Sequence, residues 1–337
     1  MSFAHDHLTA EATQDWAVPT AATAVSRSAG RLTLGDQEQV VSLHWDDGRA
    51  NRLKNTVAAR LVGAKGKPVI AIMGGISAGR FVTSGREGQG WWNDLVGADK
   101  AIDTNHFQIL SFDFIGPSNE SATSWPNIST SDQAFALSQV QKAFSINRLH
   151  TIVGASYGGM VGLKYAEHYP HQLGQLYVLC AAHKPNKLAQ GWRTVQRHIL
   201  QFGLEQNAPE RAIAIARELA MVTYRSADEF EARFGDETDQ SLEGYLKARG
   251  NAYSTGTSAA RYGALSQSID DHRVSPERIN TPTRLAVFSS DQIATVCDMT
   301  QLQERMPNST LNIINSHYGH DGFLKEIEQV TDFLSSI

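Results

Sequence analysis

Short apolar runs recur along the chain, at residues 40–45, 68–73, 107–114, 149–153, 176–180, 284–288 and 310–314. Each is long enough for a buried strand and too short for a buried helix. Between several of them the apolar period changes to that of a helix. Over 131–146, Ala134, Leu137, Val140 and Phe144 fall on one stripe, with Ser131 placed to cap its start. Strands alternating with helices predict an α/β fold, a mostly parallel sheet flanked by helices.

The alternation stops over residues 184–273, where strand signals vanish and helix formers dominate. Residues 209–224 open with Pro209 at a first helical position. No Gly/Ser-rich or Pro-rich linker brackets the stretch, so it reads as a helical lid inserted into one core rather than a separate domain. The expected organisation is a loosely ordered arm over 1–30, a core built from 31–183 and 274–337, and the lid at 184–273.

Composition narrows the function. With 337 residues, 41% hydrophobic and 19% charged, the chain can bury a large core, which excludes a disordered or fibrous protein. A formal charge of −5 without a basic tract argues against nucleic acid as partner. No apolar run approaches the roughly 18 residues of a membrane span, and residues 1–19 carry early acids and no apolar segment, so a cytoplasmic location is expected. Cys180 and Cys297, the two cysteines, are too few for a disulfide framework or a cysteine metal site and are expected as free thiols. The phosphate-cradling G-x-x-x-x-G-K-[ST] and the dinucleotide G-x-G-x-x-G are missing, so no nucleotide hydrolysis, bound cofactor or metal is expected.

Chemistry is concentrated at Gly154-Ala155-Ser156-Tyr157-Gly158, a G-x-S-x-G pentapeptide. The motif alone arises by chance; its setting gives it weight. An apolar strand runs into it, and a helical pattern with Met160, Leu163, Tyr165 and Ala166 follows, stopping before Pro170. Strand, sharp turn and helix make the nucleophile elbow of the α/β-hydrolase fold, whose flanking glycines let strand and helix close around a strained serine. A serine hydroxyl needs a base, itself held by a carboxylate, in the chain order Ser, Asp/Glu, His. Asp291 follows the 284–288 run, with Asp298 as the spare acid, and only His317 and His320 lie beyond. His320, opening the last helix after Gly319, is the better base; His317 reads as a loop residue. The oxyanion would be held by the amides of Tyr157 and Ile76, the latter in the loop Gly74-Gly75-Ile76-Ser77-Ala78-Gly79-Arg80.

Five separated motifs go further. Gly90-Trp91-Trp92-Asn93 with Val96-Gly97, Ala101-Ile102-Asp103-Thr104, the GASYGGM elbow, Trp192-Arg193-Thr194-Val195-Gln196-Arg197 and Tyr318-Gly319-His320-Asp321-Gly322-Phe323 together resemble the homoserine O-acyltransferases of the α/β-hydrolase type, over residues 31–337. The resemblance implies an acylated Ser156, a triad completed by Asp291 and His320, and Arg197 and Asp321 holding the amino acid. A zwitterion does require a cation and an anion, and arginine offers a bidentate fork.

Gly74, Gly75, Ile76 and Ser77 resemble the succinyl-transferring members, where acetyl-transferring ones show a His-Ala-Leu-Thr-Gly stretch. That implies succinyl-CoA as co-substrate, with acetyl-CoA as the alternative, and a cation for the succinyl carboxylate. Arg193 is the first choice and Arg80 the second. Lys184, Lys187 and Arg193 are candidates for the coenzyme's phosphates. The family further implies ping-pong transfer to L-homoserine in methionine biosynthesis and a homodimer formed through the lid. Competing readings are an acetyl donor, a serine acceptor, an esterase or thioesterase with the same triad, and a non-catalytic binding module on this fold; residues 192–197 and His320-Asp321 speak against simple hydrolysis.

Overall fold

The computed structural model describes residues 35–45, 51–85, 88–235 and 241–337; the arm expected over 1–30 lies outside them. In chain order the elements are β1 (Gln37–Ser42), β2 (Thr56–Gly63), β3 (Val69–Met73), the short pair β4 (Val96–Gly97) and β5 (Ile102–Asp103), β6 (Gln108–Phe112), α1 (Thr130–Ala143), β7 (Leu149–Ala155), α2 (Tyr157–His168) and β8 (Leu173–Leu179). Five helices follow: α3 (Lys187–Glu205), α4 (Pro209–Tyr224), α5 (Ala227–Phe234), α6 (Leu242–Ser254) and α7 (Ala259–Asp271). The chain returns to the sheet with β9 (Thr283–Phe288), α8 (Val296–Arg305), β10 (Ser309–Ile314), α9 (Gly322–Lys325) and α10 (Ile327–Leu334). No helix among the described residues is long and apolar enough to cross a membrane.

Eight strands form one sheet in the order β1-β2-β6-β3-β7-β8-β9-β10. β2 runs against both of its neighbours, and from β6 to β10 every pairing is parallel. Strand side chains alternate between two apolar layers, as a period of two requires. In β3, Ala71 and Met73 join the layer with α1 and α2, while Ile70 and Ile72 join the layer with Trp91, Trp92 and α10. Buried on both faces, these strands read as continuous apolar runs.

The sequence displaced some boundaries. Ser129, not Ser131, caps α1: it accepts from the Asp132 amide while the Asp132 carboxylate accepts from the Ser129 amide, at 2.7 Å. The first strand lies at Gln37–Ser42, earlier than the 40–45 run, and β2 escaped notice because Arg60 interrupts its apolar pattern. Arg60 is nevertheless buried, paired to both oxygens of Asp36 at 2.8 and 2.7 Å.

The five helices α3 to α7 occupy the stretch between β8 and β9. Leu200, Ile213, Ala216, Tyr253, Ala259 and Tyr262 form their own apolar cluster, against which Ile76 and Trp125 of the surrounding core pack.

The elbow is clamped against β3. Met73 pairs with Gly154, and the Gly158 amide donates to the Gly74 carbonyl at 2.8 Å. A Cβ on Gly158 would sit 2.2 Å from the Met73 carbonyl oxygen, and one on Gly154 would sit 2.4 Å from the Gly158 carbonyl oxygen. Both obstacles are backbone that cannot swing aside. Gly158→Ala is therefore expected to destabilise the protein by about 1–3 kcal/mol or more, read as a lower urea midpoint.

Candidate active site

Ser156 stands between the end of β7 and the first turn of α2 with φ 54° and ψ −121°, a conformation unfavourable for a residue with a side chain. Its amide donates to the Leu179 carbonyl at 2.9 Å and its carbonyl accepts from the Met160 amide at 3.1 Å. These bonds fix the turn and leave the hydroxyl at the carboxyl edge of the sheet.

His320 arrives from the other side, in the tight turn Gly319–Asp321 after β10. Gly319 has φ +63°, and a Cβ there would meet the Tyr224 carbonyl oxygen at 2.5 Å. His320 Nε2 lies 2.8 Å from Ser156 Oγ, and its Nδ1 lies 2.7 Å from Asp291 Oδ2. Asp291 Oδ1 accepts from the amides of Ile293 at 2.7 Å and Ala294 at 3.1 Å, so one carboxylate both caps its own turn and orients the imidazole. The alternatives are occupied elsewhere. Asp298 serves the capping box of α8 with Thr295, and His317 is exposed, its ring tilted by 37° against Tyr318 with centroids 4.0 Å apart.

Burial pulls the His320 pKa down, but the bonded Asp291 carboxylate, helped by Asp321, outweighs it and holds the imidazole above its ordinary value near 6.5. The same burial, with Asp291 nearby, pushes the Cys180 thiol well up, so it stays protonated beneath the serine. Such a chain can pass the serine proton to a neutral imidazole and stabilise the imidazolium that forms.

Two chambers meet at Ser156 and His320. Ile76, Tyr224 and Ile269 line both. The inner chamber, about 40 Å³, runs toward Trp192, Arg193, Gln196 and Ser266; the outer, about 320 Å³, opens past Gly75, Ser77, Arg217, Met221 and Asp321. Tyr157 and Ile76 both line the inner chamber. The Tyr157 side chain is turned into the core, bonded to Ser268 at 2.7 Å, and its amide is the first of α2, where the helix's own ladder has no acceptor for it. Gly74 closes the loop beneath, its carbonyl held by Gly158.

The basic residues separate. Arg193 is buried at 7% exposure, its Nε donating to Asp270 Oδ1 at 2.6 Å, while its Nη2 has no hydrogen-bond partner among the described residues. Burial works against its charge and Asp270 supports it. Arg197, expected at the amino acid, lines neither chamber: Ser266, Thr194 and Asp270 hold its guanidinium at 3.0, 3.2 and 2.7 Å. Arg80, the second choice for the acyl carboxylate, is also outside, paired to Asp113 at 2.8 Å and Glu38 at 3.0 Å over the Phe81 ring. Lys184 reaches the inner chamber, whereas Lys187 is exposed and bonded to Gln190.

Sequence reasoning missed Arg217 and Asp270. Arg217, on α4, is 8% exposed, stacked over Tyr253 at 4.8 Å and Tyr224 at 5.5 Å, and opens into the outer chamber without a carboxylate partner among the described residues. The available signal was an arginine on the apolar stripe of the 209–224 helix. Trp92 joins the site's loops by donating from Nε1 to the Phe323 carbonyl at 3.0 Å.

Known proteins resemble this chain in sequence and in fold. A sequence profile for the alpha/beta hydrolase fold matches residues 68–327. A homoserine O-succinyltransferase of Xanthomonas campestris pv. campestris is 36% identical over 286 residues, 82% of this chain and 77% of the relative. A homoserine O-acetyltransferase of Chlorobium chlorochromatii is 26% identical over 298 residues, covering 76% and 84%. The crystal structure of esterase E22 superposes with a TM-score of 0.78 at 16% identity, covering 89% of this chain and 99% of that one, a likeness of fold alone.

A neutral His320 is required to accept the serine proton, so hydrolysis of an activated ester such as p-nitrophenyl acetate should rise with pH through a limb lying above 6.5. Asp291→Asn removes the charge that raises that pKa. The limb should move to lower pH while the plateau falls by about 10³–10⁴-fold, both read from a pH–rate profile.

Proposed function

Because this chain belongs to the homoserine O-acyltransferase family of the α/β-hydrolase superfamily, we propose that it moves succinyl from succinyl-CoA to the hydroxyl of L-homoserine through an acylated Ser156. The observation that carries the donor is Arg193, a buried guanidinium with an unpartnered nitrogen in the wall of the inner chamber. An acetyl group would leave that charge unanswered, whereas the distal carboxylate of succinyl neutralises it. The GGIS loop and the Xanthomonas succinyltransferase relative support the same choice.

His320 takes the proton of Ser156 as Oγ attacks the thioester carbonyl, and the amides of Tyr157 and Ile76 receive the oxyanion. Collapse breaks the carbon–sulfur bond, and the coenzyme leaves as a thiol with the proton from His320. Homoserine then enters the outer chamber. Arg217 pairs with its carboxylate and Asp321 with its ammonium, a pairing in which Arg217 replaces the Arg197 that the sequence suggested. The homoserine hydroxyl gives its proton to His320 and attacks the acyl carbon; Ser156 departs and is reprotonated, releasing O-succinylhomoserine.

A homodimer is part of the proposal. Leu188, Val195 and Phe202 on α3 are 58%, 50% and 64% exposed at a spacing of seven, a stripe suited to a second copy's helices.

Thiol release from succinyl-CoA or acetyl-CoA, each with homoserine, serine or no amino acid, tests the reading. Turnover should require homoserine and favour succinyl-CoA by about 10²-fold in kcat/KM. Preference for acetyl-CoA overturns the donor, preference for serine the acceptor, and release without an amino acid makes the protein a thioesterase. Arg217→Met should raise the KM for homoserine by about 10²-fold. Val195→Glu with Phe202→Glu should yield a monomer by light scattering.

A further inference from the structure

Arg193 and Arg197 are one helical turn apart on α3, where two like charges repel. Asp270 on α7 takes one from each side, Oδ1 for Arg193 at 2.6 Å and Oδ2 for Arg197 at 2.7 Å, and all three are nearly buried. Arg197 is consumed by this arrangement, its other contacts being Ser266 and Thr194. Arg193 is not: only its Nε meets Asp270, and Nη2 is left over. Two guanidiniums and one carboxylate leave a single positive charge, fixed beside the inner chamber.

We infer that Asp270 is a positioning residue for donor selection, one that locks Arg193 against the acyl chamber and, with Arg197, sets the local charge to accept one acyl carboxylate. The substrate class that follows is the thioester of a dicarboxylic acid. This inference rests on the succinyl reading above.

The test compares succinyl-CoA with butyryl-CoA, which carries a methyl where succinyl carries its carboxylate. In Asp270→Asn the ratio of kcat/KM for succinyl-CoA over butyryl-CoA should fall by at least about tenfold, chiefly through the KM for succinyl-CoA, and Asp270→Glu should restore part of it. Should Asp270→Asn fold poorly, the double variant Arg197→Gln with Asp270→Asn keeps the local charge and should show the same lost ratio. A ratio that stays unchanged, or two donors that decline in parallel, overturns the role of Asp270. Arg193→Met separates the two ideas. If it collapses the ratio while Asp270→Asn does not, the succinyl reading stands and this inference fails; if it leaves the ratio unchanged, the succinyl reading itself fails.

Discussion

The backbone of Ser156 is the constraint from which the site follows. Holding a side-chain-bearing residue at φ 54° costs on the order of 1–3 kcal/mol, so the turn persists only where its surroundings leave no alternative. Those surroundings are two neighbouring parallel strands and a helix. β3 approaches so closely that only glycine fits at 158, β8 receives the Ser156 amide, and α2 starts at once behind it. The hydroxyl is thereby lifted onto the sheet's carboxyl edge, where the loops after β3, β9 and β10 also end. Asp291, His320 and Ile76 are delivered by the parallel topology itself, since every parallel strand ends its loop on the same side.

Four arginines near this edge show how environment assigns a charge its task. Arg80 is answered by two carboxylates and is structural. Arg197 is answered by Asp270 and two hydroxyls. Arg193 is answered in part, and Arg217 is stacked on tyrosine rings, a contact that favours a cation, without a carboxylate partner among the described residues. A buried guanidinium without its full set of acceptors is costly unless something else supplies them. Arg193 lines the inner chamber and Arg217 the outer, and on the proposed reading an anionic group on each of two substrates completes them.

Much of this was legible in the sequence, for physical reasons that differ by residue. The central strands are covered on both faces, so 68–73 and 149–153 stood out as apolar runs. The elbow was readable because glycine and serine spacing reports backbone sterics directly. β2 was hidden by Arg60, whose burial depends on Asp36 being brought alongside by the sheet. Arg197 and Arg217 could not be told apart by motif, because each sits on an amphipathic helix. What separates them is a carboxylate on α7, distant in sequence and visible only when α3 and α7 pack together.

Fold cannot decide what becomes of an acyl-serine, since an esterase shares this architecture at a TM-score of 0.78. Water and an amino-acid hydroxyl differ little as nucleophiles once His320 removes the proton. The difference lies in residence. An acceptor held at two charged points is present beside the acyl carbon at an effective concentration that diffusing water cannot match in a narrow chamber. On the proposed reading, Arg217 and Asp321 supply those points on elements that the five-helix insertion brings against the His320 turn: Arg217 belongs to the insertion, and a Cβ on Gly319, one residue before His320, would meet its backbone at Tyr224. The insertion thus acts on chemistry through charge placement, and a hydrolase core becomes a transferase where a second substrate is bound more tightly than water is excluded.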